Sequence, residues 1–183
     1  MKKFLFLALT LPLCSCFLVE DFGTYWDKAG IDKRLAGSWK MRLTSPEMPI
    51  ALGFGSTARF SEKGGAYEIT VQDGETGYPL RTLNAGRYQY LLMGPKKGRV
   101  QRYKVNAHVL EFCNCPDTSL VEEFVKTHAP NAVNMKRSDS EGDFMEIALF
   151  DDQVFAILSK IPDTKAYWIC DAVYDRVPEP VVR

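Results

Sequence analysis

Five cysteines and two histidines carry most of the chemistry that this sequence makes available. Cys113-Asn114-Cys115 lies in a stretch of alternating apolar and polar residues, so on a strand both thiols would project from one face. With His108 nearby, that pair has the donor types of a soft-metal site. A complete structural site needs about four ligands, and no second Cys/His cluster supplies the rest, so no metal is expected. His108 falls at a predicted hairpin turn and His128 at a predicted helix end, where a cation suits the helix dipole. Neither a Gly-x-Ser-x-Gly elbow nor a His-Glu-x-x-His helix occurs. Gly53-Phe54-Gly55-Ser56 lacks the further glycine and the lysine of a phosphate loop, and reads as a flexible turn. Asp139, Glu141 and Asp143, like the Asp151-Asp152 pair, read as solvated loops rather than calcium ligands. Lys96, Lys97, Arg99 and Arg102 read as a solvated hairpin tip, with contact to lipid headgroups or cell wall as the alternative. No catalytic set emerges, so neither an enzyme nor a cofactor is expected.

Cys14 and Cys16 belong to a different context. Met1-Lys2-Lys3 is followed by an apolar run from Phe4 to Leu13, broken only by Thr10 and Pro12. A positive start and about ten apolar residues match a secretory signal. The run is too short for a spanning helix, which needs about 20 residues. Its end, Leu13-Cys14-Ser15-Cys16, resembles the lipobox of bacterial lipoproteins: a leucine three residues before the lipid-carrying cysteine, and a small residue just before it. The resemblance implies that residues 1–15 are a signal peptide, and that Cys16 carries a diacylglyceryl group and often a further acyl chain, such as palmitate. Stable anchoring takes two or more such chains. It also implies a membrane anchored, rather than membrane spanning, protein. Phe17 in place of an aspartate after the cysteine implies the outer membrane, facing the periplasm.

Removing residues 1–15 leaves 168 residues with 21 basic and 23 acidic side chains, a formal charge of −2. No charge field there points to nucleic acid. That length is one domain with a core of its own. Phe17 to about Asp32 reads as a lipidated start and tether (16–32), whose Phe22, Tyr25 and Trp26 favour packing down onto the domain. A β domain over 33–177 and a Pro-containing tail over 178–183 complete the organisation. In an oxidising periplasm the better use of the later cysteines is a disulfide. Cys170 would pair with Cys113 or Cys115, closing a loop of over fifty residues worth about 4 kcal/mol at most. A Cys113–Cys115 bridge would strain the bond.

The elements that must position these residues are mostly strands. Ala66-Tyr-Glu-Ile-Thr-Val71 alternates apolar and polar residues with period two, as a half-buried strand does. The stretches 86–92 and 99–105 repeat the pattern. Residues 103–112 predict a hairpin turning at Asn106-Ala107, residues 145–160 another turning at Asp151-Asp152, and residues 166–177 a last strand. Residues 118–128 break the rhythm. Leu120, Val121, Phe124 and Val125 have helical spacing, residues 117–119 offer caps, and Pro130 ends the helix. The fold class is mainly β: a single antiparallel barrel or strongly curved meander of eight or nine strands, with one amphipathic helix that plugs a mouth or packs outside.

Gly37-Ser38-Trp39 on the first strand of that region is similar to the Gly-x-Trp signature of lipocalins and lipocalin-like domains. In that family the glycine bends the chain into the barrel and the tryptophan closes its base. A basic residue near the last strand stacks on the tryptophan; Arg176 is the counterpart here. The helix ahead of the last strands departs from the usual lipocalin plan. Two functions follow. One is an accessory protein that uses its surface to hold a protein partner in an envelope assembly. The other, implied by the lipocalin resemblance, is a binding protein for a small apolar ligand, with Tyr67, Tyr88, Tyr90 and Phe112 lining a cavity of about 300 Å³ or more.

Overall fold

The period-two stretches form strands around one closed ring. The structure is a computed structural model that describes residues 17–19, 22, 24–42, 57–71, 79–95, 98–116, 118–130, 133–138, 144–149 and 153–178. In chain order the elements are β1 (Phe17–Val19), α1 (Thr24–Lys28), a 3-10 turn (Lys33–Leu35), β2 (Gly37–Met41), β3 (Thr57–Lys63), β4 (Ala66–Val71), β5 (Leu80–Ala85) and β6 (Tyr88–Met93). There follow β7 (Gly98–Val105), β8 (Val109–Asn114), α2 (Thr118–His128), β9 (Val133–Ser138), β10 (Phe144–Leu149), α3 (Gln153–Leu158) and β11 (Ile169–Val177). Strands β2 to β8 run as an antiparallel meander, and β11 fits between β8 and β2. Pairing of β7 with β8 closes the eight-stranded barrel, which removes the sheet edges that an open meander would expose. β1 pairs with the part of β7 that β8 leaves free, Phe17 opposite Val100 and Val19 opposite Gly98. β9 and β10 form a separate hairpin.

Two cores lie on either side of the barrel wall. The inner one gathers Trp39, Phe60, Tyr67, Ile69, Leu91, Tyr103, Leu110, Phe112 and Tyr174, all essentially buried. Phe60 meets Tyr67 edge-on at 5.9 Å, and Phe112 meets Tyr174 at 5.7 Å. The outer core joins Tyr88, Tyr90, Leu92, Val100 and Cys113 to Val121 and Val125 of α2, to Ile157 and Leu158 of α3, and to Phe22. The amphipathic helix thus packs outside the barrel. Tyr90 donates from its hydroxyl to the Leu158 carbonyl at 3.0 Å, and Tyr88 to that of Ile161 at 3.4 Å, so the wall bolts down the segment that carries α3.

The expected barrel of eight or nine strands is met by a ring of eight, with β1, β9 and β10 outside it. Two sequence readings change. Residues 153–158 are a helix, not the return strand of a hairpin turning at Asp151-Asp152, a pair that itself lies outside the described residues. Arg102 is not part of a solvated tip: it sits within β7 under the helical layer, its side chain 1% exposed. Lys96, Lys97, residues 53–56, and Asp139, Glu141 and Asp143 lie outside the described residues.

Candidate functional site

The chemistry-bearing groups converge at the barrel end where β2 begins and β11 finishes. Before β2, Asp32 caps the 3-10 turn, an ordinary task for an aspartate. Its carboxylate, 13% exposed, accepts from the Arg34 backbone N–H (3.1 Å), from Arg34 Nε (2.8 Å) and Nη2 (2.6 Å), and from the Tyr103 hydroxyl (3.0 Å). The Asp32 carbonyl accepts from the Tyr67 hydroxyl at 3.0 Å. The turn is thereby tied across the barrel end, and Leu35 and Trp39 seal the space beneath it.

Gly37, Trp39 and Arg176 come together at this closure. Trp39 Nε1 donates to the Leu35 carbonyl at 2.8 Å. The Arg176 guanidinium stands over the Trp39 ring at 4.2 Å. Its Nε donates to the Ala107 carbonyl (2.8 Å), its Nη1 to that of Ala36 (2.7 Å), and its Nη2 to that of Arg34. One side chain on β11 thus binds β2, the turn and the β7–β8 hairpin. Gly37 adopts φ +108°, and a Cβ there would stand 3.1 Å from Arg176 Nη1. Glycine supplies both the backbone conformation and the room for the arginine.

The electrostatics of this end make donors and acceptors rather than proton shuttles. Burial pushes the Tyr67 hydroxyl up to about 12, with Glu62 and Asp32 adding to the effect. Burial, then the Asp32 charge, holds the Tyr103 hydroxyl protonated far above its ordinary value. Burial works to raise Asp32, but the hydrogen bonds from Arg34 and Tyr103 outweigh it and leave the carboxyl below its ordinary value of 3.8. A lowered folded-state value stabilises the protein above the unfolded value, and that contribution disappears as pH falls through the folded one. Asp32→Asn is therefore expected to cost about 1–2 kcal/mol at pH 7. The gap to the parent should shrink below about pH 4. Thermal melts of both proteins between pH 7 and pH 2 check this; a gap that does not change with pH would contradict the assignment.

Of the thiols, Cys113 and Cys170 form a disulfide between directly opposed positions of β8 and β11. Cys115, itself disulfide-bonded, follows β8, half-buried against the outer core. Cys16 lies outside the described residues. His108 is exposed at the β7–β8 turn, and His128 closes α2 with Nδ1 2.8 Å from the Phe124 carbonyl. Among the described residues, no three His, Cys, Asp or Glu side chains are placed to hold a metal.

A second constellation went unforeseen. The Arg102 guanidinium lies between the rings of Tyr88 (3.9 Å) and Trp168 (4.6 Å), and its Nη2 donates to Asp163 at 2.6 Å. Burial would raise Asp163, yet Arg102, with Lys104 and Arg87 adding their charge, holds that carboxyl below its ordinary value. The only sequence signal was an arginine at an outward position of a period-two strand, which normally means solvent.

No family model matches the chain, and neither a curated protein nor a solved structure matches it.

Proposed function

We propose that the protein is a lipid-anchored envelope lipoprotein that serves a membrane assembly as an accessory, holding a protein partner with its surface. The observation that carries this reading is the aromatic interior of the barrel. Trp39, Tyr67, Tyr103, Phe112 and Tyr174 are buried within it, and an eight-stranded barrel is narrow enough for side chains of that size to fill. Two of the four aromatics suggested as a cavity lining, Tyr88 and Tyr90, belong to the outer core instead. The anchor is the lipid at Cys16, the destination is the periplasmic face of the outer membrane, and nucleic acid plays no part. In this reading membrane residence rests on the acyl chains; no described helix is long and apolar enough to cross a membrane.

A lipocalin-like role for a small apolar ligand is the second reading. Met41, Val71, Met93 and Ala172 favour it: half-buried apolar residues packed against the inner core, on strands β2, β4, β6 and β11 toward the end away from Trp39. Mass spectrometry of the mature chain from the envelope tests both readings. The accessory reading expects an N-terminal Cys16 carrying acyl chains, no bound small molecule under native conditions, and one protein neighbour after crosslinking. A retained lysine-bearing leader, or a Cys16 recovered in a disulfide-linked peptide, would overturn the anchor. A stoichiometric apolar species on the native protein would replace the accessory role with the carrier.

A further inference from the structure

We infer that Arg102 is the floor of an oxyanion seat which Asp163 fills in the free protein, and that a carboxylate of the protein partner displaces Asp163 from it. The inference rests on the accessory reading above and names the chemistry of the partner's contact. Arg102 and Lys104 alternate on β7, Arg87 lies in the turn between β5 and β6, and Asp163 lies in the segment joining α3 to β11. A guanidinium buried for packing alone has its donors met. Here Nη2 donates to one oxygen of Asp163, while Nη1 is buried with no hydrogen-bond acceptor among the described residues. An arginine holds a carboxylate best through two parallel N–H bonds. The fork of Arg102 is half used.

The charges are out of balance as well. Burial raises the Asp163 carboxyl, and the hydrogen bond from Arg102 with the charges of Arg102, Lys104 and Arg87 more than offsets it. Among the described residues, three cations thus act on this one carboxylate. Its own segment, 159–168, adds Lys160 and Lys165 and no second acid. Arg87 and Lys104 are exposed at the rim, and the Asp163 side chain is 40% exposed where that of Arg102 is 1%. The backbone on both sides of Asp163 is fastened. The Ile161 carbonyl accepts from Tyr88, and the Thr164 carbonyl accepts from the N–H groups of Tyr167 (3.0 Å) and Trp168 (2.9 Å). Asp163 can therefore leave by rotating its side chain, with the wall intact. An entering group then meets the guanidinium between the Tyr88 and Trp168 rings, in surroundings that strengthen a charged hydrogen bond. Since the group that the chain itself supplies is a carboxylate, an acidic protein segment is the matching occupant.

The test is fluorescence anisotropy on the full chain in nonionic detergent, with a fluorescein-labelled hexaglutamate peptide as probe. Asp163→Ala is expected to bind it about tenfold more tightly than the parent, because it frees a seat otherwise open about a tenth of the time. Asp163→Asn keeps an acceptor for Nη2, and with it the fold, and is expected to gain several-fold. Glu62→Gln, the same change of charge at an exposed position of β3, should stay within about twofold of the parent, since remote surface charges are screened. Adding Arg87→Ala and Lys104→Ala to Asp163→Asn should abolish the gain. No gain from either Asp163 variant, or an equal gain from Glu62→Gln, would overturn the seat. Displacement of the peptide by glycerol phosphate at lower concentration than by N-acetylglutamate would assign the seat to a phosphate and overturn the acidic partner. The titration reads the seat alone; absence of any crosslinked protein neighbour in the envelope would overturn the accessory reading instead.

Discussion

Replacing Cys113 and Cys170 together by alanine is expected to destabilise the protein by about 4 kcal/mol, the loop-entropy value for a cross-link over a separation of 57 residues. For a chain of this size that corresponds to a fall in melting temperature of about 8–16 °C. The loop that the bond closes holds α2, β9, β10 and α3, the whole excursion between the seventh and eighth barrel strands. Without it, the excursion is held by packing on the outer core and by the Arg102–Asp163 contact. Calorimetry of the variant against the parent should show that fall. A change below about 1 kcal/mol would mean that the packed layer alone fixes the excursion.

Trp39→Ala is expected to cost about 4 kcal/mol, as truncations of buried aromatics do. The tryptophan is fully buried, donates to the Leu35 carbonyl and forms the platform for Arg176. Arg176→Ala should cost about 2 kcal/mol, since three carbonyls lose their donor at a partly hydrated site. The double variant should fall short of the sum by about 1 kcal/mol, the worth of a cation–π contact. Denaturant titration of the four proteins measures this coupling. Strict additivity would show that the stacked geometry contributes nothing beyond its separate parts.

What could be read in advance depended on how locally each signal was written. The α2 helix was legible because Leu120, Val121, Phe124 and Val125 repeat at its period and Pro130 lies just past its end. The β4 strand was legible from Tyr67 and Ile69, which alternate into the inner core. α3 was also written locally, for Val154, Ile157, Leu158 and Ile161 follow helical spacing, but the apolar run around them reads equally well as a strand. The faces of β6 were not legible: Tyr90 and Leu92 serve the outer core while Leu91 serves the inner one, so no polar face marks a direction. Arg102 was misread for the same reason, since only the tertiary layer supplies its Tyr88, Trp168 and Asp163.

The choice between Cys113 and Cys115 as partner of Cys170 was likewise beyond composition. It follows from register, which sets Cys113 opposite Cys170 on neighbouring strands, whereas Cys115 comes after the strand ends. At the base, the sequence pattern reached Gly37, Trp39 and Arg176 only through a family resemblance, because 137 positions separate the stacked pair. Asp32 was missed although an aspartate ahead of a short helical turn is an ordinary cap. Its links to Tyr103 and Tyr67 depend on how the sheet curls.

The ring is sealed by the last nine residues of ordered strand. Until β11 arrives, β2 and β8 are bare margins of an unfinished seven-strand sheet, and both need the same late segment. Pairings so distant along the chain form slowly, because the connecting polymer must be ordered before they repay it. A chain emerging N-terminus first would thus be unable to complete its barrel until β11 had emerged. It would remain through that interval a client for holding factors that shield unpaired backbone.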